Sequence, residues 1–108
     1  MLFLFYEELS KDLTSVVKRV ADFLGKSLNE EQITELCLHL QFDNFQKNNS
    51  VNGGYLTETF PSSKNFKFIR NGKPGGWRSY FDEEMTREAE EWMSENMRDT
   101  DFCFPRIG

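Results

Sequence analysis

The sequence predicts an α/β fold, mostly helical with one buried strand, as a single domain over residues 1–108. Two observations carry this. The run LFLFY, Leu2–Tyr6, is apolar without a break, as expected of a strand covered on both faces. Three later stretches repeat apolar residues at three- and four-residue steps, the period of amphipathic helices. A lone strand leaves its backbone donors and acceptors unpaired. The chain is therefore expected to be part of a larger α/β protein.

Each element follows from local chemistry. After the strand, SKDLTSVVKRVADFLGKS reads as a helix with Leu13, Val16, Val17, Val20, Ala21 and Leu24 on one face. Ser10 or Asp12 can cap its start, and Gly25 suits a left-handed stop. A second helix begins at Asn29, where Gln32 can complete a capping box, and carries Ile33, Leu36, Cys37 and Leu40 on one face. Gln41 to Phe66 is rich in Asn, Gly and Ser and reads as a long irregular segment opened by one short helical turn. A final helix starts near Asp82 with the stripe Met85, Ala89, Trp92, Met93 and Met97, and DFCFP suits a short extended tail.

Composition narrows the partners. Thirteen basic and eighteen acidic residues give a net charge of −5, which repels phosphate backbones and anionic bilayers. Neither nucleic acid nor membrane is an expected partner. The opening MLFLFYEEL lacks the basic lead of a signal peptide and falls short of the ~20 apolar residues of a membrane helix. Aromatic residues make up 15%, eleven of them Phe, which argues for a packed core. Cys37 and Cys103 have no metal-site spacing; Cys37 reads as a buried reduced thiol, which points to the cytoplasm. No metal is expected.

FIRNGKPGGWRSYF, Phe68–Phe81, gathers Arg70, Lys73 and Arg78 around three glycines in an otherwise acidic chain. Backbone N–H groups in such a turn can converge on phosphate or sulfate, with basic side chains adding charge-assisted bonds. A plain turn before a helix fits the same residues. Trp77 reads as a core anchor.

Four segments, in order, resemble the cytosolic sulfotransferases and together cover nearly the whole chain. YEEL, Tyr6–Leu9, is similar to the Tyr-Glu-Asp that ends a central strand in that family. DFLGKSL, Asp22–Leu28, is similar to its Phe-Leu-Gly helix end. HLQFDNFQKN, His39–Asn48, stands in the place of His-Thr-Ser-Phe-x-x-Met-x-x-Asn. FIRNGKPGGWRSYF resembles Phe-Met-Arg-Lys-Gly-x-x-Gly-x-Trp-Lys. The resemblance implies the C-terminal part of a P-loop nucleoside-kinase-like fold. It also implies the donor 3′-phosphoadenosine 5′-phosphosulfate (PAPS) as co-substrate.

By position, the resemblance assigns the donor's 3′-phosphate to the Arg70 side chain and the Gly72 N–H. Asn71 replaces the usual Lys, and Phe68 opens the same signature. Phe42 matches the aromatic that stacks on adenine, although a plain core role is also open. Tyr6 matches the tyrosine at the adenine edge, and Leu40 replaces a Thr. Tyr55 and Phe60 lie where the family has a loop over the acceptor pocket, so they are candidate acceptor contacts or simply surface aromatics.

The family's phosphosulfate loop and catalytic His have no match in these residues; the single histidine, His39, aligns elsewhere. No catalytic residue is therefore assigned. The expected function is a share in moving a sulfuryl group from PAPS to a small hydroxyl- or amine-bearing acceptor, with this chain inactive alone. The alternative is a non-catalytic nucleotide-binding or interaction module. In the family's dimer segment Arg78, Asp82, Glu83 and Arg87 stand at the motif positions. An antiparallel pairing would face Arg with Arg, which argues against a family-style homodimer.

Overall fold

The computed structural model describes residues 1–60 and 67–105. Among these residues, α-helices run in the order α1 Tyr6–Lys11, α2 Leu13–Phe23, α3 Glu30–Leu40, α4 Phe42–Phe45, α5 Gly54–Thr59 and α6 Glu83–Met97. A 3-10 turn at Gly76–Ser79 precedes α6.

The helix ends are set by their caps. Of the two candidates before α2, Asp12 is the cap: its carboxylate accepts the Ser15 N–H at 3.0 Å. At the other end Gly25 adopts φ 66°, and the N–H groups of Gly25 and Lys26 donate to Asp22 and Ala21 carbonyls at 3.0 and 2.8 Å. That pair of bonds satisfies carbonyls the helix would otherwise leave open. Asn29 and Gln32 form the expected reciprocal box, at 2.8 and 3.0 Å. Asp82 caps α6 through the Met85 N–H at 2.8 Å.

The expected strand is not formed. Residues 1–5 carry no strand pairing, Tyr6 already belongs to α1, and among the described residues there is no strand to pair with. The backbone finds other partners: Arg19 donates to the Phe3 carbonyl at 3.2 Å and to the Glu8 carboxylate at 3.0 Å. The apolar side chains meet the tail instead. Phe3 and Phe5 lie 5.9 and 5.6 Å from the Phe102 ring, and Phe5 lies 6.1 Å from Phe104. These are aromatic packing distances.

The helices α1, α2, α3 and α4 pack in succession, whereas α5 and α6 pair with no other helix among the described residues. Among the described residues the core is correspondingly small: Val16, Val17 and Ala21 of α2 against Ile33 of α3. Among the described residues the aromatic-rich core expected from composition is not seen, and Phe3, Phe23, Trp92 and Tyr80 are all exposed. Trp77, read as a core anchor, is 43% exposed. It packs edge-on against Phe81 at 5.4 Å and under the Arg78 guanidinium at 4.7 Å.

The shape is open. A compact monomer of this mass would expose about 6,200 Å², yet this chain exposes 9447 Å². Its radius of gyration is 17.9 Å, against about 13 Å for a compact domain of this length. Among the described residues no helix is long and apolar enough to cross a membrane.

Candidate functional site

The site is built where the end of α3, the start of α4 and the glycine segment meet. Gln41 turns the chain directly from α3 into α4, so Phe42 is the first residue of the new helix. The Asn44 amide donates to the Leu38 carbonyl at 2.8 Å and holds α4 against the end of α3. The Gln46 amide then reaches across to the Ile69 carbonyl at 3.1 Å. Asn52 extends the link: its amide donates to the Gln46 carbonyl at 3.3 Å and its oxygen accepts the Gly54 N–H at 2.9 Å. α5, not anticipated from the sequence, begins there.

Gly72 adopts φ 61°, the left-handed region. A Cβ built at this position would overlap the Phe42 ring. Ring and glycine backbone are therefore in direct apposition, with no room for a side chain between them.

Tyr6, Phe42, Phe68, Arg70 and Gly72 all line one open cleft of about 620 Å³. Five of the six residues singled out for the donor thus share one surface, although they come from three separate parts of the chain. Asn71 is exposed and off the lining. Tyr55 and Phe60, 67% and 57% exposed, also lie outside the cleft. His39, in the last turn of α3, does not line it either.

Leu9, Leu13, Leu40, Phe45 and Ile69 complete the apolar wall. Of these, Phe45 had a readable signal, since it lies three residues after Phe42 on one helical face. Leu13 was placed on the packed face of α2 and also reaches the cleft.

The electrostatics are simple. Among the described residues no carboxylate pairs with Arg70, and the acidic side chains that do pair engage Lys18, Arg19 and Arg87. The cleft thus sets one unneutralised guanidinium beside an aromatic ring and apolar walls. Such a lining suits a planar ring bearing a phosphate. Among the described residues no group of three or more His, Cys, Asp or Glu side chains converges as metal ligands do.

A second, smaller cavity of about 270 Å³ borders Glu8, Arg19 and Pro105. There the Arg19 guanidinium, bonded to Glu8, holds that carboxyl below its usual range, more than offsetting desolvation, which acts the other way.

Comparison with known proteins identifies the family. The sulfotransferase domain family matches residues 1–101. Luciferin sulfotransferase of Photinus pyralis is 33% identical over 106 residues, covering 94% of this chain and 29% of the relative. Sulfotransferase 1B1 of Mus musculus is 30% identical over 105 residues, covering 95% of this chain and 35% of its own.

Among solved structures, retinol dehydratase in complex with androsterone and inactive cofactor PAP superposes with a TM-score of 0.92 at 50% identity. That match covers 99% of this chain and 31% of the other. A mouse sulfotransferase complexed with PAP shares the fold at a TM-score of 0.72 and 24% identity, over 93% of this chain and 36% of its own. The chain thus spans about a third of the length of these relatives. On the match over residues 1–101 and the shared fold, this chain belongs to the sulfotransferase family.

Proposed function

We propose that this chain carries the adenine and 3′-phosphate end of a PAPS site, as its share of a sulfotransferase acting on a small hydroxyl- or amine-bearing acceptor. The observation behind this reading is the apposition of Phe42 and Gly72 on the cleft that also holds unpaired Arg70. A bare glycine backbone there lets a phosphate approach the N–H closely, and Arg70 can grip two phosphate oxygens at once. Phe42 offers a face for the base, a contact worth about 1–3 kcal/mol. Tyr6 closes the rim beside it.

The donor supplies the sulfuryl group. The residues of this chain bind and orient the nucleotide so that its far end points away from Arg70. Among the described residues His39, the single histidine, does not line the cleft, so no catalytic base is assigned to this chain. The 108 residues alone are accordingly proposed to bind nucleotide without transferring sulfate.

Calorimetry with adenosine 3′,5′-bisphosphate tests this reading. Wild-type chain should bind, while Arg70→Ala and Phe42→Ala should each weaken binding by about 1–3 kcal/mol, roughly 5- to 150-fold. Unchanged affinity in both variants would place the nucleotide elsewhere. Sulfate transfer by the chain alone would refute the proposed inactivity.

A further inference from the structure

The chain holds two Asn-Gly pairs, Asn52–Gly53 and Asn71–Gly72. Asparagine is a labile side chain. It is most so before glycine, where no Cβ hinders the next backbone nitrogen from reaching the side-chain carbonyl. The fold treats the two pairs differently. The Asn52 amide donates to the Gln46 carbonyl at 3.3 Å and to Asn49 Oδ1 at 3.4 Å, and its oxygen accepts the Gly54 N–H at 2.9 Å. Turning its carbonyl carbon toward the Gly53 nitrogen would break these bonds.

Asn71 has no such hold. It is exposed, and among the described residues neither its side chain nor the Gly72 N–H makes a hydrogen bond. Arg70 and Lys73 flank the pair. Among the described residues Arg70 has no carboxylate partner. Positive charge nearby favours the deprotonated nitrogen from which the reaction starts.

We propose that Asn71 is a site of spontaneous deamidation, that Asn52 is protected from it, and that the change weakens the anion site beside Asn71. The Gly72 nitrogen gives its proton to solvent base and attacks Asn71 Cγ. A C–N bond forms, closing a cyclic imide, and the side-chain nitrogen leaves as ammonia. Water then opens the ring at either carbonyl, leaving aspartate or isoaspartate. One amide and one water are consumed, one carboxylic acid and one ammonia are formed, and nothing is oxidised or reduced. Either product sets a carboxylate next to Arg70 on the rim of the cleft. Isoaspartate also routes the main chain through the side chain, lengthening the backbone that carries the Gly72 N–H. The effect on binding rests on the nucleotide reading above; the reaction itself does not.

The test is ageing of the 108-residue chain in mildly alkaline buffer, folded or in denaturant, with and without adenosine 3′,5′-bisphosphate. Peptide mapping by mass spectrometry follows the amide-to-acid mass gain at each asparagine. In the folded chain Asn71 should convert at least about tenfold faster than Asn52, whose hydrogen bonds must first break. In denaturant the two rates should converge. Bisphosphate should slow conversion at Asn71 by engaging the Gly72 N–H. Calorimetry on the aged chain should show bisphosphate affinity lowered about threefold or more. Asn71→Gln, whose longer side chain closes the ring far less readily, should age without that loss.

Equal rates at Asn52 and Asn71 in the folded chain overturn the proposal. So does conversion at neither while the denatured chain converts both, because the fold would then protect Asn71 as well. Selective conversion with unchanged affinity overturns its consequence for the anion site. If the fresh chain binds no bisphosphate, the nucleotide reading fails, and the mass map alone decides whether Asn71 converts.

Discussion

The Phe42 ring occupies the space that a side chain at position 72 would need. Two residues thirty positions apart in the sequence are therefore matched: the ring at position 42 leaves no room for a Cβ at position 72. The left-handed backbone at Gly72, φ 61°, adds a second reason for glycine.

Gly72→Ala should consequently do two things. The left-handed strain alone costs about 1–3 kcal/mol, and the new methyl must displace the ring that faces the nucleotide. Thermal unfolding should show the loss of stability, and calorimetry should show bisphosphate affinity lowered at least about tenfold. The double variant Gly72→Ala with Phe42→Ala relieves the overlap but not the strain. Its stability should recover in part, and additive losses in the two single variants would contradict the contact.

Arg70→Lys separates charge from shape. Lysine keeps the positive charge but lacks the planar fork that can hold two phosphate oxygens. Binding of adenosine 3′,5′-bisphosphate should fall to a value between wild type and Arg70→Ala. Its weakening with added salt should resemble wild type, because the number of neutralised charges is unchanged. If Arg70→Lys binds as poorly as Arg70→Ala, with the same salt response, the residue does not act through charge on an anion.

The pair Glu8–Arg19 gives a pH signature. Glu8 carries a carboxyl below its usual 4.5 because Arg19 bonds it in the folded chain. A depressed carboxyl contributes stability above its unfolded pKa and loses that contribution as pH falls through the folded value. Wild type should therefore melt above Glu8→Gln at neutral pH, and the two should converge in acid below 4.5. The gap should be small, since the pair lies at the surface. A gap that widened in acid would reverse the sign and exclude the pairing as its cause.

How much of this could be read from the residues depended on range. Asp12, Gly25, Asn29 with Gln32, and Asp82 act within three or four positions, so their chemistry is complete in the local sequence. The expected strand at Leu2–Tyr6 depended on neighbours that no local pattern supplies. Arg19 took the Phe3 carbonyl, and Phe102 took the side chains. α5 was hidden for a related reason. Asn52, Gly53 and Gly54 look like loop, yet the Asn52 side chain caps the Gly54 N–H. In the cleft, the ring, glycine and arginine were legible as a motif. Phe45 could be placed with Phe42 from their three-residue spacing, whereas Leu13 joined them only through packing between separate segments.

The Gln46 amide offers the last test, because it ties the glycine segment to α4 without touching the proposed ligand. Its bond to the Ile69 carbonyl spans twenty-three positions and is partly buried. Removing it in Gln46→Ala should lower stability by about 0.5–1.5 kcal/mol. The segment carrying Arg70 would then be less firmly placed against Phe42, so bisphosphate binding should weaken several-fold. Gln46→Glu is the sharper variant: nearly the same shape, but a carboxylate cannot donate to a carbonyl and would instead repel it. It should weaken binding at neutral pH at least as much as Gln46→Ala and recover when the carboxyl is protonated in mild acid. Wild-type affinity for Gln46→Glu at neutral pH would mean that the glycine segment is positioned by other contacts, and that this bond is incidental to the site.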